Sequence, residues 1–189
     1  MRNAKTFALT YTAMGIVINI VLGTLIGMIH IPLLYLDTIG TIFTAVILGP
    51  FYGAIAGGLT NVIQGLLTNP KNIPFALINI AIGLIVGYIA KNKIFNLKTA
   101  ILVGVLISII APLIGTPIAI WIFGGLTGDG NDLIFTWLKN SGSTIFSAAF
   151  IPRITGNFVD KIASCIFVSV LIKQLPTHIT QNNLFQKVA

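Results

Sequence analysis

Apolar segments separated by short polar stretches fill most of the chain. A bilayer core about 30 Å thick takes roughly 20 apolar residues of helix per crossing. Most of the segments approach or exceed that length. The pattern predicts an all-α fold, an integral membrane bundle of six transmembrane helices that forms one domain over residues 1–189. The six segments are residues 6–29, 38–48, 51–67, 73–90, 99–123 and 144–172.

The second and third segments are shorter than the others, and Gly49 and Pro50 stand between them. A Gly-Pro pair interrupts regular helix, because proline cannot donate a backbone hydrogen bond and glycine adopts turn conformations freely. We therefore expect two tilted helices joined by a tight turn rather than one long span.

The distribution of lysine and arginine predicts the orientation, since cytoplasmic segments of membrane proteins carry the excess of positive charge. Both termini are expected in the cytoplasm. The outer loops, residues 30–37, 68–72 and 124–142, then hold only Lys71 and Lys139. The cytoplasmic segments hold Arg2, Lys5, Lys91, Lys93, Lys98, Lys173 and Lys187.

The third outer loop is long and rich in glycine, and residues 132–138 within it predict a short amphipathic helix. A loop of this length beside membrane helices is either mobile or functional. The functional interpretation is a lid over a pocket that faces outward.

Composition excludes several classes of protein. With 56% hydrophobic and 8% charged residues and a mean hydropathy of +0.98, the chain is not a soluble domain. The net charge of +7 does not indicate a nucleic-acid partner, because the basic residues are scattered among apolar runs. His30 and His178 are isolated and Cys165 is the single cysteine, so neither a metal site, a cofactor nor a disulfide is expected.

Catalytic motifs are absent as well. The sequence contains no phosphate-binding G-x-x-x-x-G-K-[ST] loop, and no nucleophile, base and orienting group can be identified together. We therefore predict a protein that is not an enzyme.

Small residues form a continuous stripe along the first helix at spacings of three or four. Such stripes allow close backbone approach between helices in lipid. Packing within the bundle and docking to a partner subunit both explain it. The stripe comprises Ala4, Ala8, Thr12, Gly15, Asn19, Gly23 and Gly27.

Amide side chains lie toward the outer ends of the third and fourth helices, at Asn61, Gln64 and Asn79. Unpaired polar groups in a bilayer cost several kcal/mol. These amides therefore either bond neighbouring helices or line a polar cavity that opens outward.

The last segment carries Arg153, Asn157, Asp160, Lys161 and Ser164 on one helical face. Charged side chains inside a membrane span indicate a functional site by default. Internal charge pairing and a conducting pore are the alternatives. Asp160 and Lys161 are neighbours that project about 100° apart on a helix, so we expect them to pair poorly.

Together these features resemble the S components of energy-coupling factor (ECF) transporters, six-helix membrane proteins that bind a vitamin from outside. The resemblance covers nearly the whole chain, and within the family it is strongest to the pyridoxine-type and hydroxymethylpyrimidine-type members. It is carried by Ala4, Ala8 and Thr12, by YLDTIGTIFTAVILGPFYGAIAGGLTN at residues 35–61, and by GNFVDKI at residues 156–162.

The resemblance implies a bacterial cell-membrane importer whose partners are a membrane coupling subunit and two cytosolic ATPases. It implies docking through Ala4, Ala8 and Thr12, and transport by toppling of the S component. The ligand would be a small polar heteroaromatic vitamin or precursor, with Trp121, Phe123 and Trp137 offering stacking surfaces. Arg153 matches no motif position. The implied substrate contacts are Tyr35, Asp37, Asn79, Asn157, Asp160 and Lys161.

Two other classes of function remain open. In a self-contained secondary transporter Asp160 would carry a proton, and uptake would collapse with a protonophore. A membrane scaffold would bind no vitamin at all.

Overall fold

The computed structural model describes residues 2–29, 31, 33–128 and 130–175, with the backbone alone for residues 2–4. Within these ranges the chain is helical and contains no strand, which confirms the all-α prediction. Lys187 and the side chains of Arg2 and Ala4 lie outside the described residues. The helices are α1 (Arg2–Ile29), α2 (Ile39–Leu48), α3 (Pro50–Leu67), a 3₁₀ helix (Pro70–Phe75), α4 (Ala76–Asn92), α5 (Leu97–Phe123), α6 (Asp132–Asn140) and α7 (Ile145–Gln174).

Among the residues that the structure describes, four helical stretches are long and apolar enough to cross a membrane: Lys5–Ile29, Pro70–Asn92, Leu97–Phe123 and Ile145–Gln174. Large apolar side chains such as Leu9 on α1 and Leu102 on α5 are exposed on the outside of the bundle. Exposed apolar surface on this scale is stable only in contact with lipid or a partner. The chain is therefore a multi-pass membrane protein, and the count of six crossings stays a prediction, because α2 is too short to span by itself.

The predicted break at Gly49 and Pro50 is confirmed. Gly49 has φ 88° and Pro50 is the first residue of α3. Glycine tolerates this left-handed conformation, and proline at a helix start loses no helical hydrogen bond.

The short helix α2 forms the centre of the bundle. Helices α1, α3, α4 and α7 all pack against it. Eight of its ten residues are buried. Its Ile42 joins Ile82, Ile107 and Val168 in one apolar core. The central position of α2 explains its composition, which is apolar apart from Thr41 and Thr44 and carries no charge.

The middle of the small-residue stripe of α1, at Gly15 and Asn19, faces α2. A Cβ atom added to Gly15 would overlap the carbonyl oxygen of Gly40, so the two backbones are nearly in contact. Ala8 and Thr12 are 2% and 5% exposed. Asn19 completes the contact by accepting a hydrogen bond from the Gly40 amide at 2.7 Å. Of the two explanations for the stripe, this geometry supports packing within the bundle, since buried side chains are not available to a partner.

Gly15→Ala is expected to destabilise the bundle by about 1–3 kcal/mol, the usual cost of overpacking. The matched control is Gly27→Ala on the same helix, where an added Cβ meets nothing within 4 Å among the described residues. That change should leave the melting temperature unaltered or raise it, because alanine favours helix. Thermal unfolding of both variants in detergent measures the difference, and equal melting temperatures would contradict the close α1–α2 contact.

Two helix pairs have the most extensive packing, α5 with α7 and α3 with α4. A Cβ at Gly57 would overlap the Asn79 backbone, which shows how closely α3 approaches α4. This contact brings the amides of Asn61 and Asn79 together.

The amphipathic helix predicted at residues 132–138 is confirmed as α6, which packs on α7. The Asp132 carboxylate accepts hydrogen bonds from the backbone amides of Thr127 at 3.1 Å and Gly128 at 2.7 Å. The glycine-rich segment before α6 is thereby folded back onto it.

Candidate functional site

A cavity of about 260 Å³ lies between α3, α4, α5 and α7, at the end of the bundle where all three predicted outer loops meet. Loops that are far apart in sequence therefore converge on one hollow. The first loop (residues 33–38) contributes Tyr35 and Asp37 to its wall, the 3₁₀ helix contributes Asn72 and Phe75, and the third loop contributes Thr127. The lining residues are Tyr35, Asp37, Asn61, Gln64, Asn72, Phe75, Ile78, Asn79, Ala111, Pro112, Gly115, Thr127, Arg153, Asn157 and Lys161.

One wall of the cavity is made of amides from α3 and α4. Asn79 donates a hydrogen bond to Asn61 Oδ1. Asn79 Oδ1 is buried and has no partner within the described part of the chain. A buried acceptor without a partner is costly and marks a position for a ligand donor or water. Opposite, small residues of α5 around Pro112 leave the space open.

A buried ion cluster joins the first loop to α7. Lys161 Nζ lies 2.7 Å from Asp160 Oδ2 and 2.9 Å from Asp37 Oδ1, and it also donates to Thr38 Oγ1 at 3.1 Å. The expectation that Asp160 and Lys161 pair poorly is therefore wrong. The 100° divergence applies to their Cα–Cβ bonds, whereas the long lysine side chain bends back toward its neighbour and the loop.

Asp160 contacts the first loop and does not line the cavity. Its Oδ1 accepts hydrogen bonds from the backbone amides of Tyr35 at 3.0 Å and Leu36 at 2.8 Å. Leu36 and Leu33 have φ values of 50° and 66°, a region that non-glycine residues rarely adopt. Asp160 is fully buried and is not among the lining residues. This carboxylate therefore holds a strained loop in place over the site.

Tyr35 connects the first loop to the third loop. Asn131 donates a hydrogen bond to its hydroxyl group at 2.7 Å. Lys161 Nζ lies 5.6 Å from its ring centroid, within reach of a cation–π interaction. A second cavity of about 180 Å³ lies against the outer end of α1, and Tyr35, Asp37 and Gln64 line both cavities.

Arg153 and Asn157 form the α7 side of the cavity. Asn157 Nδ2 donates to the Arg153 carbonyl at 2.8 Å, which leaves its Oδ1 for other contacts. The Arg153 guanidinium reaches across to the third loop, where it donates to Gly125 O at 3.2 Å and Thr127 Oγ1 at 3.1 Å. It also donates to Ala149 O at 2.9 Å.

The cavity thus brings together five of the six residues predicted as substrate contacts, with Asp160 directly behind them. Sequence reasoning did not assign Arg153, Phe75 and Thr127 to the site. Arg153 could have been found, because it shares the polar face of Asn157 and Lys161. Phe75 is the last residue of the 3₁₀ helix, at the start of the predicted fourth segment, and Thr127 lies in the glycine-rich third loop, so neither belongs to a polar helical face.

The predicted aromatic surfaces need correction. Trp121 and Trp137 are 86% and 68% exposed and do not line the cavity. Phe123 instead stacks on Phe75, with ring centroids 6.2 Å apart. Tyr35 and Phe75 are the aromatic residues of the cavity wall. Helical phase explains the difference, because Trp121 lies on the side of α5 that faces away from the bundle.

No group of three His, Cys, Asp or Glu side chains suitable for a metal ion occurs among the residues that the structure describes. The chemistry of the cavity is that of neutral amides, two cations and one carboxylate. Such groups can hold a polar solute through hydrogen bonds and ion pairs.

Comparison with known proteins gives one match. A family model described as ECF transporter, substrate-specific component matches residues 7–172, which is most of the chain. Neither a curated protein nor a solved structure matches it.

Proposed function

Because this chain belongs to the family of ECF transporter substrate-specific components, we propose that the cavity beneath its three loops captures a small solute for import. The observation that carries this proposal is the polar cavity itself, in which Asn79 Oδ1 is buried without a partner among the described residues. A buried polar wall in a membrane bundle is costly unless a ligand or water satisfies it.

Substrate-specific components are binding subunits of transporters rather than catalysts, and they work with an energy-coupling module and ATPases. We infer a complex with one membrane coupling subunit and two cytosolic ATPases in a bacterial cell membrane. The proposed topology has six crossings and cytoplasmic termini, with α2 and α3 as one pair of tilted helices. Docking through Ala4, Ala8 and Thr12 remains a prediction without support from exposure, since Ala8 and Thr12 are buried.

The proposed substrate is a small polar heteroaromatic vitamin or precursor, of the pyridoxine or hydroxymethylpyrimidine kind. A volume of about 260 Å³ is below the roughly 300–1,000 Å³ of drug-sized pockets, which favours a single-ring compound. Tyr35 and Phe75 offer ring faces, and the amides offer donors and acceptors to ring substituents.

Each predicted contact has a distinct proposed role. Asp37 and Lys161 face the ligand from the ion cluster, and Asn79 and Asn157 bind it from opposite walls. Asp160 acts through the first loop, whose Tyr35 covers the ligand.

The alternative is a self-contained, proton-coupled transporter in which Asp160 carries the proton. It is disfavoured because Asp160 is fully buried against Lys161 and two backbone amides. Uptake that persists in cells without the ATPases and collapses with a protonophore would establish this alternative.

Native mass spectrometry of the purified full chain tests the proposal. We expect a mass increment from a co-purified single-ring compound, which is released by denaturation and identified by its fragments. A chain that carries no ligand and shows no saturable binding of pyridoxine, hydroxymethylpyrimidine or related rings would contradict it.

Asn79→Ala is expected to weaken binding of the identified ligand by about 1–3 kcal/mol, since the partner group on the ligand is left unpaired. The control is Asn92→Ala at the exposed end of α4, where the side chain bonds only the Tyr88 carbonyl. Isothermal titration calorimetry of both variants measures the effect. Equal affinities for Asn79→Ala and Asn92→Ala would remove Asn79 from the site.

A further inference from the structure

Arg153 places a positive charge in the cavity wall, and no carboxylate of the described residues forms an ion pair with it. The side chain is 7% exposed. Its three hydrogen bonds all go to neutral acceptors, the carbonyls of Ala149 and Gly125 and the Thr127 hydroxyl. Across the described residues, the salt bridges within 4.0 Å involve Lys161 rather than Arg153.

The nearby carboxylates are engaged elsewhere. Asp37 and Asp160 share Lys161, and Asp132 accepts the amides of Thr127 and Gly128. Arg153 and Lys161 are eight residues apart on α7, a rise of roughly 12 Å along the helix. The cavity is therefore electrically polarised, with the ion cluster at one end and an unbalanced guanidinium at the other.

The guanidinium also has donors to spare. Arginine carries five N–H bonds in a planar fork. Three bonds are accounted for by Ala149, Gly125 and Thr127. The remaining two have no acceptor among the described residues. A buried charge is tolerated when it is paired, and leaving one unpaired is strongly destabilising.

We propose that Arg153 binds an anionic group of the substrate, a carboxylate or a phosphate monoester, so that this component selects a negatively charged ring compound over its neutral analogue. The inference rests on the proposed function, because it concerns the same cavity. It narrows the substrate from polar ring compounds in general to those that carry a negative charge. In this arrangement the ring of the ligand lies against Tyr35 and Phe75, and its anionic substituent points to the third loop.

A purely structural role for Arg153 makes a different prediction. Its bonds to Gly125 and Thr127 fasten the third loop to α7, and removal of that fastening would weaken all ligands alike. Removal of an anion site instead lowers the affinity of the charged member of a matched pair relative to the neutral member. The dependence on ligand charge therefore separates the two roles.

The experiment uses the purified full chain in detergent and two matched pairs of probes, nicotinate with nicotinamide and pyridoxal 5′-phosphate with pyridoxal. Each pair keeps the ring and changes the charge, and the two pairs distinguish a carboxylate from a phosphate. Calorimetry or ligand-induced thermal stabilisation reports the affinity. We expect the anionic member of at least one pair to bind roughly 30-fold or more tighter, the scale of a hydrogen bond to a charged group.

Arg153→Met is expected to abolish that preference, because the anionic probe loses roughly 30-fold more affinity than the neutral probe, whatever release of the third loop costs both. Arg153→Lys keeps the charge without the planar fork, and it should restore part of the preference. Thr127→Val removes one loop hydrogen bond but no charge, and the anion preference should survive. Size-exclusion profiles verify that each variant is folded, and the lysine variant keeps the test decisive if the methionine variant is not.

Two results would overturn the inference. In the first, wild type binds both members of each pair equally, which leaves the proposed function intact. In the second, Arg153→Met weakens both members equally, as a structural role requires. If no probe binds in any variant, the proposed heteroaromatic substrate fails together with the inference.

Discussion

Lys161→Met is expected to destabilise the bundle by about 3–5 kcal/mol, the cost of leaving buried carboxylates without their counter-ion. Lys161 is the shared partner of Asp160 and Asp37, at 2.7 and 2.9 Å. Without it, the buried Asp160 carboxylate keeps only the two loop amides as partners, and the partly exposed Asp37 loses its counter-ion. We further expect ligand binding to weaken, because Lys161 lines the cavity and its ion pair with Asp37 is one of the links between the first loop and α7.

Thermal unfolding and ligand titration in detergent measure both effects. The matched control is Lys173→Met near the end of the same helix, where the side chain is exposed. That change should alter the melting temperature little, because exposed charges contribute little to stability. Equal destabilisation by the two substitutions would contradict the ion cluster.

A compensated variant sharpens this test. Replacing Lys161 with methionine and both Asp37 and Asp160 with asparagine removes all three charges of the cluster. Part of the lost stability should return, since buried ion networks can be replaced by neutral side chains more easily than they can be broken. No recovery would indicate that the cluster acts through shape rather than charge.

Asp160→Ala is expected to release the first loop and to weaken ligand binding by about 3 kcal/mol, because it removes a buried charged acceptor and leaves Lys161 with one carboxylate fewer. Two backbone amides, those of Tyr35 and Leu36, lose their acceptor. The positive φ values of Leu33 and Leu36 then have little to maintain them.

Hydrogen exchange read at residues 33–37 measures the release directly. We expect exchange of the Tyr35 and Leu36 amides to accelerate by roughly 100-fold, equivalent to about 2.7 kcal/mol. Asp160→Asn is the informative control, since the asparagine Oδ1 still accepts from the loop amides although the charge is gone. If alanine and asparagine raise exchange equally, the loop is held by charge and not by these two hydrogen bonds.

The sequence predicted the site to the extent that periodicity placed polar residues on helical faces. Helical spacing placed Asn157 and Lys161 on one polar face of α7, whereas the assignment of Asn79, Asn157 and Lys161 to one site was implied by the family resemblance. Arg153 shares the same face, yet it was left without a role because the family motif did not cover it. The partner of a charged side chain depends on contacts between distant parts of the chain. The ion pair of Lys161 with Asp37 joins two residues that are far apart in sequence.

The sequence by itself determined that this protein lies in a membrane and that it is helical. It also determined the break at Gly49 and Pro50 and the short helix α6. Each depends on local composition and spacing, which act over a few turns of helix. Only the tertiary structure decided which way Asp160 turns, that Ala8 and Thr12 are buried, and which aromatic rings face the cavity. Those outcomes depend on close packing between distant segments, because two backbones must meet before a side chain has a neighbour.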